Sequence, residues 1–505
     1  MNSPDQTPNA LPAETRRPRW ALWLALFAAL IAARLLLAFR DSDTLLVHQA
    51  IVDSLLAGHN WGRQALVGAL EYPLLPTLGL LAARVAFGGD LAALVVVAVS
   101  QSLAVCYLLR LRLTLPRRLV LGLLLGLLGL FLPDVRAAFT ALDPNWVAAV
   151  PFCAAVFHLS RWFRERGLRD AVLCAVNAGL LVFCGIGGGV VGLALALVLA
   201  RDVRPASGGA GVRRQGLAVL VWTPMLYCLG LWFLWNWLIL GDLGFGLKHL
   251  WHALIALPAD AFFTAGARAL VTAPAVAWAG ALLALSAAAG RDRRAVGGLV
   301  ALCVAAAAAR AGCLAAGLLP GAATLLTVCA GVGALATMPG PDAAAPTVPS
   351  GRWLRLAALA AGLLILVADM AWIPVPDPVA EGSFAAGAPR PLEITRLIDR
   401  DWPRSRTAVY GVRLPALYHD ALERRFVARM DYHEGLFVEQ AQREVMHLLL
   451  PPPDGRFYPR GQNVFTNLHR NGDPLLLLET QWDSGWQLWR CVIFPDRESR
   501  LQHLK

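Results

Sequence analysis

The chain has 505 residues, of which 57% are hydrophobic and only 16% charged, with a mean hydropathy of +0.56. That is more apolar surface than a soluble protein of this length buries in a core, so the composition excludes a soluble globular enzyme and indicates a polytopic membrane protein. The formal charge of +11 does not indicate nucleic-acid binding, because the arginines fall in short clusters between apolar runs, where basic residues hold loops on the cytoplasmic side.

In chain order, residues 1–19 form a cytoplasmic N-terminus whose Arg16, Arg17 and Arg19 precede the first apolar run, Trp20 to Phe39. At about 20 residues that run crosses a hydrocarbon core about 30 Å thick and exceeds the ~7–15 apolar residues of a signal peptide, so it is read as the first span. Ten further spans are expected at 90–110, 118–132, 144–160, 170–184, 186–200, 216–238, 265–289, 295–312, 314–337 and 352–372. The pair 170–184 and 186–200 is short, and GIGGGVVG (185–192) between them reads as a tight turn between two half-length or tilted helices. Segments placed inside carry about 20 basic residues against about seven outside, which sets the N-terminus inside and the C-terminus outside. Residues 20–372 thus form a transmembrane domain of about eleven spans whose first outer loop is 40–89.

That loop begins RDSDTLLVHQAIVDSLLAGHNW (40–61). Leu46, Val47, Ala50, Ile51 and Leu55 recur at helical spacing, with His48, Gln49, Asp53 and Ser54 opposite, which is the pattern of an amphipathic helix lying in the interface. In EYPLLPTLGLLAARVAFGG (71–89), Pro73 and Pro76 open a second helix of about ten residues, too short to cross. Ser42, Asp43 and Thr44 are good capping residues for the first of these helices, and a carboxylate at a membrane boundary also has the partial desolvation that suits a general base. Asp143, in TALDPNW, either caps the helix that starts at Pro144 or belongs to a site. The Gly-rich 185–192 has no strand-turn-helix around it and reads as helix packing rather than a phosphate loop.

After Trp372 a proline-rich linker (373–392) leads into a small extracytoplasmic α/β domain, 393–505. Strands are expected in RTAVYGV, RRFVARM and MHLLLPP, and helices in LPALYHDALE, in 434–445 and in QNVFTNLHRNG. LLLLETQ and WQLWRCVIF flank Asp483-Ser484-Gly485 as a hairpin. Trp482, Trp486 and Trp489 either stack on a sugar ring or, the simpler reading, pack in the core. Eight of the nine cysteines lie in apolar segments, and there is no CxxC pair or disulfide framework.

The order of an apolar first helix, an acidic motif, a helix ending in LLAGHNW and a proline-bearing EYPLLPTLGLLA resembles the GT-C superfamily of membrane glycosyltransferases, which use lipid-phosphate-linked sugars. It is similar in particular to bacterial family-39-like members such as aminoarabinose- and mannosyl-transferases. WNWLILGDLGFGLKHL (235–250) is similar to the Asn-x-x-x-x-Gly-Asp/Asn segment of bacterial relatives. The resemblance covers the first 110 residues, the later spans by topology and the tail in outline. Thr44 stands where members carry a second acid, so the pair here is Asp41-x-Asp43.

The resemblance implies a GT-C fold and inverting transfer of a sugar from a polyprenyl-phosphate donor to an acceptor hydroxyl, of a lipid, glycan or protein, outside the cytoplasm. Asp43 is then the general base, with Asp41 as the second catalytic candidate. Glu71, His48 and Asp143 are candidates for orienting substrate, Asp41 and Asp143 for holding a divalent cation, and Lys248, His249, Arg268 and Arg310 for the donor phosphate. A transporter or lipid flippase, or an inactive scaffold of this fold, are the alternatives. Transporters place ionisable groups at mid-membrane on broken helices, whereas these carboxylates sit in outer loops.

Overall fold

The computed structural model describes residues 21, 24–29, 31–32, 43–58, 60–68, 72–110, 141–202, 211–248, 251, 293–315, 325–326, 329–330, 391–403, 407–410, 426–429, 447–450, 466–483 and 485–492. The expected spans at 118–132, 265–289 and 352–372 lie outside them, as do most of 20–39 and 314–337 and the helices at 414–423 and 434–445.

Among the described residues the protein is mostly helical, and four stretches are long and apolar enough to cross a membrane: Leu91–Leu108, Trp146–Phe163, Leu168–Arg201 and Gln215–Leu240. It is an integral membrane protein by that measure. Residues 43–87 contribute α1 (Asp43–Leu56), α2 (Asn60–Gly68) and α3 (Leu74–Phe87). Then come α4 (Gly89–Arg110), α5 (Trp146–Glu165), α6 (Leu168–Leu180), a 3-10 turn (Leu181–Cys184), α7 (Gly185–Asp202), α8 (Gly211–Leu240) and α9 (Arg293–Ala315).

Local chemistry sets these boundaries. Pro73 caps α3 at φ −64°, and Pro76 falls in its first turn, where a backbone N–H has no partner within the helix anyway. Gly88, at φ 81°, ends α3, its N–H donating to the Arg84 carbonyl at 3.1 Å. At 14 residues, or about 21 Å by helical rise, α3 is longer than its sequence suggests yet still too short to span.

The run 168–202 folds back on itself. Gly185, at φ 86°, reverses the chain, and a Cβ added at Gly188 or Gly192 would strike the carbonyls of Leu181 and Ala178. The glycines of GIGGGVVG are therefore the surface by which α7 lies against α6, in the small-residue manner of membrane helices. Gly179 likewise lets α6 approach the Pro224 carbonyl of α8, and Gly298 lets α9 approach Val198 of α7.

The bundle core includes Phe152, Val156, Leu159, Ala171, Cys174, Leu195 and Leu302. Within it α4 and α5 run in the same direction: Tyr107 meets Phe157 at 5.8 Å between ring centroids, while at the other end Val147 packs with Ala92, Ala93 and Val96.

The C-terminal part contains α10 (Pro391–Asp401), α11 (Thr466–Asn471) and five strands: β1 (Thr407–Tyr410), β2 (Phe426–Arg429), β3 (His447–Leu450), β4 (Leu476–Gln481) and β5 (Gln487–Cys491). Their order is β2-β1-β3-β5-β4. β1 pairs in parallel with β2 and β3, while β5 runs antiparallel to β3 and β4. Trp486 and Leu488 of the hairpin, Leu449 of β3 and Ile394 and Ile398 of α10 close one core, with Trp402 and Trp482 against it. Trp489 is also buried, so these indoles are packing residues.

Candidate functional site at one end of the bundle

The first-loop helices do not lie singly in the interface; they form a roof. The expectation of one polar face on α1 fails at His48 and Ser54, both buried, because α2 covers α1 at Ser54 and α3 covers it at His48. Gly62 makes the first contact possible, since a Cβ there would come within 2.6 Å of Ser54 Oγ. Val47, Ile51, Ala65 and Tyr72 form the apolar filling between the helices.

His48 Nδ1 lies 2.7 Å from Thr77 Oγ1, and that hydroxyl donates to the Pro73 carbonyl at 3.0 Å. Burial pulls the imidazole down to about 3, so it is neutral. The Tyr72 ring meets it edge-on at 5.7 Å. His48 is therefore a strut inside the roof rather than a surface contact for substrate. Its Nε2, Ser54 Oγ and Gln64 Oε1 have no hydrogen-bond partner among the described residues.

The roof docks on the bundle at two places. Leu142 and Val147, at the start of α5, pack into the cluster of Leu45, Val52, Leu80 and Ala92. Val67 of α2 packs with Leu240 and Phe245 at the end of α8. The starts of α4 and α5, the end of α8 and all three roof helices thus share one end of the bundle.

Asp143 stands at that end. Its Oδ1 accepts from the Asn145 N–H at 2.9 Å, and its carbonyl accepts from Trp146 N at 3.3 Å, so Asp143 shapes the turn ahead of α5, whose N-cap is Asn145 and which starts at Trp146 rather than Pro144. Burial pushes its carboxyl up to about 6, against the pull of the Asn145 backbone and side-chain amides. A carboxyl titrating near 6 exchanges protons in the range where acid–base chemistry operates. The neighbouring Asn145 side chain is almost wholly buried, and its Oδ1 has no hydrogen-bond partner among the described residues. Sequence reading does not single out Asn145, Gln64 or Thr77, since nothing in the linear pattern distinguishes them from capping or surface residues.

Of the other expected site residues, Asp43 is the first residue of α1, and its side chain is outside what is described. Asp41, Glu71, His249 and Arg268 lie outside the described residues. Lys248 is exposed and bonded to Asp242 at 2.6 Å across the turn that follows α8. Arg310 is buried in α9. In the segment 235–250, Asn236 is fully buried with its Nδ2 donating to the Trp232 carbonyl at 2.9 Å, and Gly241 takes φ 73° to start the turn. Among the described residues no three His, Cys, Asp or Glu side chains come together to hold a metal ion. Comparison of the chain with protein-family models, with curated proteins and with solved structures finds no match in any of the three.

Proposed function

We propose that the chain is a GT-C-type glycosyltransferase that moves a sugar from a polyprenyl-phosphate donor to an acceptor hydroxyl at the roofed end of the bundle, on the extracytoplasmic side. In this reading Asp43 takes the acceptor proton as the hydroxyl oxygen bonds to the anomeric carbon. The carbon–oxygen bond to the lipid phosphate breaks with its electron pair, giving inversion. A phosphate is already a good leaving group, so one base and nearby cations suffice.

The observation that carries the reading is the contact between two acid-bearing segments far apart in sequence. α1, which begins at Asp43, packs through Leu45 into the cluster that Leu142 enters, and Leu142 immediately precedes Asp143. The parallel run of α4 and α5 further supports the span count, because two membrane-length helices pointing the same way need a return crossing between them, as expected at 118–132.

The test is transfer of labelled sugar from a panel of polyprenyl-phosphate donors to membrane extracts. Wild type should transfer, Asp43→Asn should lose about 10²–10⁴-fold, and Asp41→Asn should lose less. Unimpaired transfer by Asp43→Asn removes Asp43 as the base; no transfer from any donor by wild type removes the reading.

A further inference from the structure

Two buried carboxamides stand where the roof meets α8, and each carries an oxygen that nothing bonds. Asn236 is fully buried and Gln64 is 5% exposed. Asn236 Nδ2 is spent on the Trp232 carbonyl, while its Oδ1 has no hydrogen-bond partner among the described residues, and neither has Gln64 Oε1. A buried amide oxygen without a donor has given up its bonds to water for nothing, so two at one junction mark a place that a donor from outside the chain fills.

The junction has a defined make-up. Gln64 lies one turn before Val67 on α2 and Asn236 one turn before Leu240 on α8, and Val67 and Leu240 share a cluster that Leu66 and Trp235 join. Leu66 also packs with Trp232, Trp235 and Phe183, the last from the 3-10 turn, with 5.6 Å between the Phe183 and Trp235 ring centroids. Apolar and aromatic walls with a few polar groups to fix orientation are the composition of a small-molecule site.

The unpaired atoms define the ligand. Both are acceptors, as is Asn145 Oδ1 at the start of α5, so the ligand supplies O–H or N–H donors. It is uncharged at this point, because a cation set against neutral amides would be buried without a counter-charge and an anion would face their oxygens. Beside Asn236 the flank of α8 is apolar and open, with Leu234, Trp237 and Leu238 exposed. A head of neutral hydroxyls joined to a hydrocarbon tail satisfies both surfaces. We infer that Gln64 and Asn236 hold ring hydroxyls of an uncharged sugar on a lipid carrier whose chain runs along α8. The inference rests on the transferase reading for the source of the sugar, and it names the sugar class that reading leaves open.

The test measures equilibrium binding to the full chain in nanodiscs, with no acceptor present. The probes are polyprenyl phosphate, bare or carrying glucose, galactose, mannose, glucuronate or a 4-amino-4-deoxy sugar. In wild type at least one of the three uncharged sugars should bind about tenfold or more tighter than bare carrier, and tighter than either charged one. Gln64→Leu and Asn236→Leu should each cut that preference about tenfold, as the loss of one hydrogen bond does, while binding bare carrier as wild type does. Thr223→Val should leave it unchanged, since that exposed hydroxyl, bonded to the Val219 carbonyl, lies 13 residues or about 20 Å along α8 from Asn236. Without ligand, neither Leu variant should unfold at a lower temperature than wild type, because the oxygen removed has no partner in the free protein. Lowered unfolding temperatures in both would show that the protein itself holds these oxygens and would overturn the site. No uncharged sugar preferred over bare carrier, tightest binding by a charged sugar, preference untouched in both Leu variants, or equal loss in Thr223→Val also overturns it. Sugar preference without transfer from any donor removes the transferase reading and leaves this site; transfer with donor preference unaltered in both Leu variants removes the site alone.

Discussion

His48 and Thr77, 29 residues apart, are joined by a 2.7 Å hydrogen bond whose direction is fixed. The Thr77 hydroxyl spends its proton on the Pro73 carbonyl, so the imidazole must donate from Nδ1 and keep Nε2 as a bare acceptor. The bond ties α1 to α3 within a roof whose apolar filling is thin, and it holds the helix that starts at Asp43.

Substitution of this strut has a defined cost and pH signature. His48→Phe leaves the Thr77 hydroxyl without its donor and should destabilise the protein by about 1–3 kcal/mol. The folded-state pKa of about 3 lies below the ordinary 6.5, so the unfolded chain binds the proton more tightly. Stability from neutral His48 is complete above about pH 6.5 and declines as pH falls from there toward 3. Thermal unfolding in detergent should show a wild-type decline over that window that is smaller in His48→Phe. Equal slopes in the two proteins would show that His48 titrates normally.

Asp143 has the opposite sign. Its folded pKa of about 6 lies above the ordinary 3.8, so its contribution to stability is complete below about pH 3.8 and is lost as pH rises through 6. Asp143→Asn keeps a neutral side chain at every pH. The unfolding temperature of this variant relative to wild type should therefore rise between pH 4 and pH 7, and a difference independent of pH would mean that the carboxyl is not perturbed.

Helix contact through glycine is tested at Gly179. A Cβ there would sit 2.8 Å from the Pro224 carbonyl oxygen and 3.2 Å from Cys228 Sγ, so Gly179→Leu should cost about 1–3 kcal/mol by overpacking. Gly189 has nothing within 4 Å of an added Cβ, and Gly189→Ala should be neutral or slightly stabilising in the same unfolding assay. Equal losses at both positions would contradict the close approach of α6 and α8.

How much of this was legible in the sequence follows from what each element depends on. α4 and α5 are long uninterrupted apolar runs, and length against bilayer thickness places them within a few residues. A tight turn read in GIGGGVVG is legible only at its edge: the chain reverses at Gly185, and the rest of 185–192 is the start of α7, whose glycines serve contact with α6. α2 was not visible: NWGRQALVG is half polar and nine residues long, and it is a helix because Gly62 seats it on Ser54 and Val67 meets Leu240. The linker ends at 392 in the sequence reading, which assigns no element to 393–401, although Pro391 at the start of α10 and Ile394 and Ile398 four apart are signals of that helix. At the site, Asp143 is legible as a carboxylate beside Pro144, but its shifted titration comes from burial in the fold, which no local pattern encodes. The same holds for His48, whose polar neighbours on the helical wheel pointed outward while the fold turned it in.

The account stands on the roofed end facing out of the cell, and side-resolved labelling addresses that directly. The nine native cysteines are all buried, so a single exposed cysteine reports alone. Arg63→Cys places one on the roof and Gln215→Cys one at the start of the last described membrane-length helix, at the opposite end. With a membrane-impermeant maleimide on intact cells, Arg63→Cys should label and Gln215→Cys should label only after permeabilisation. The reverse pattern, or labelling of both from the same side, would contradict the account.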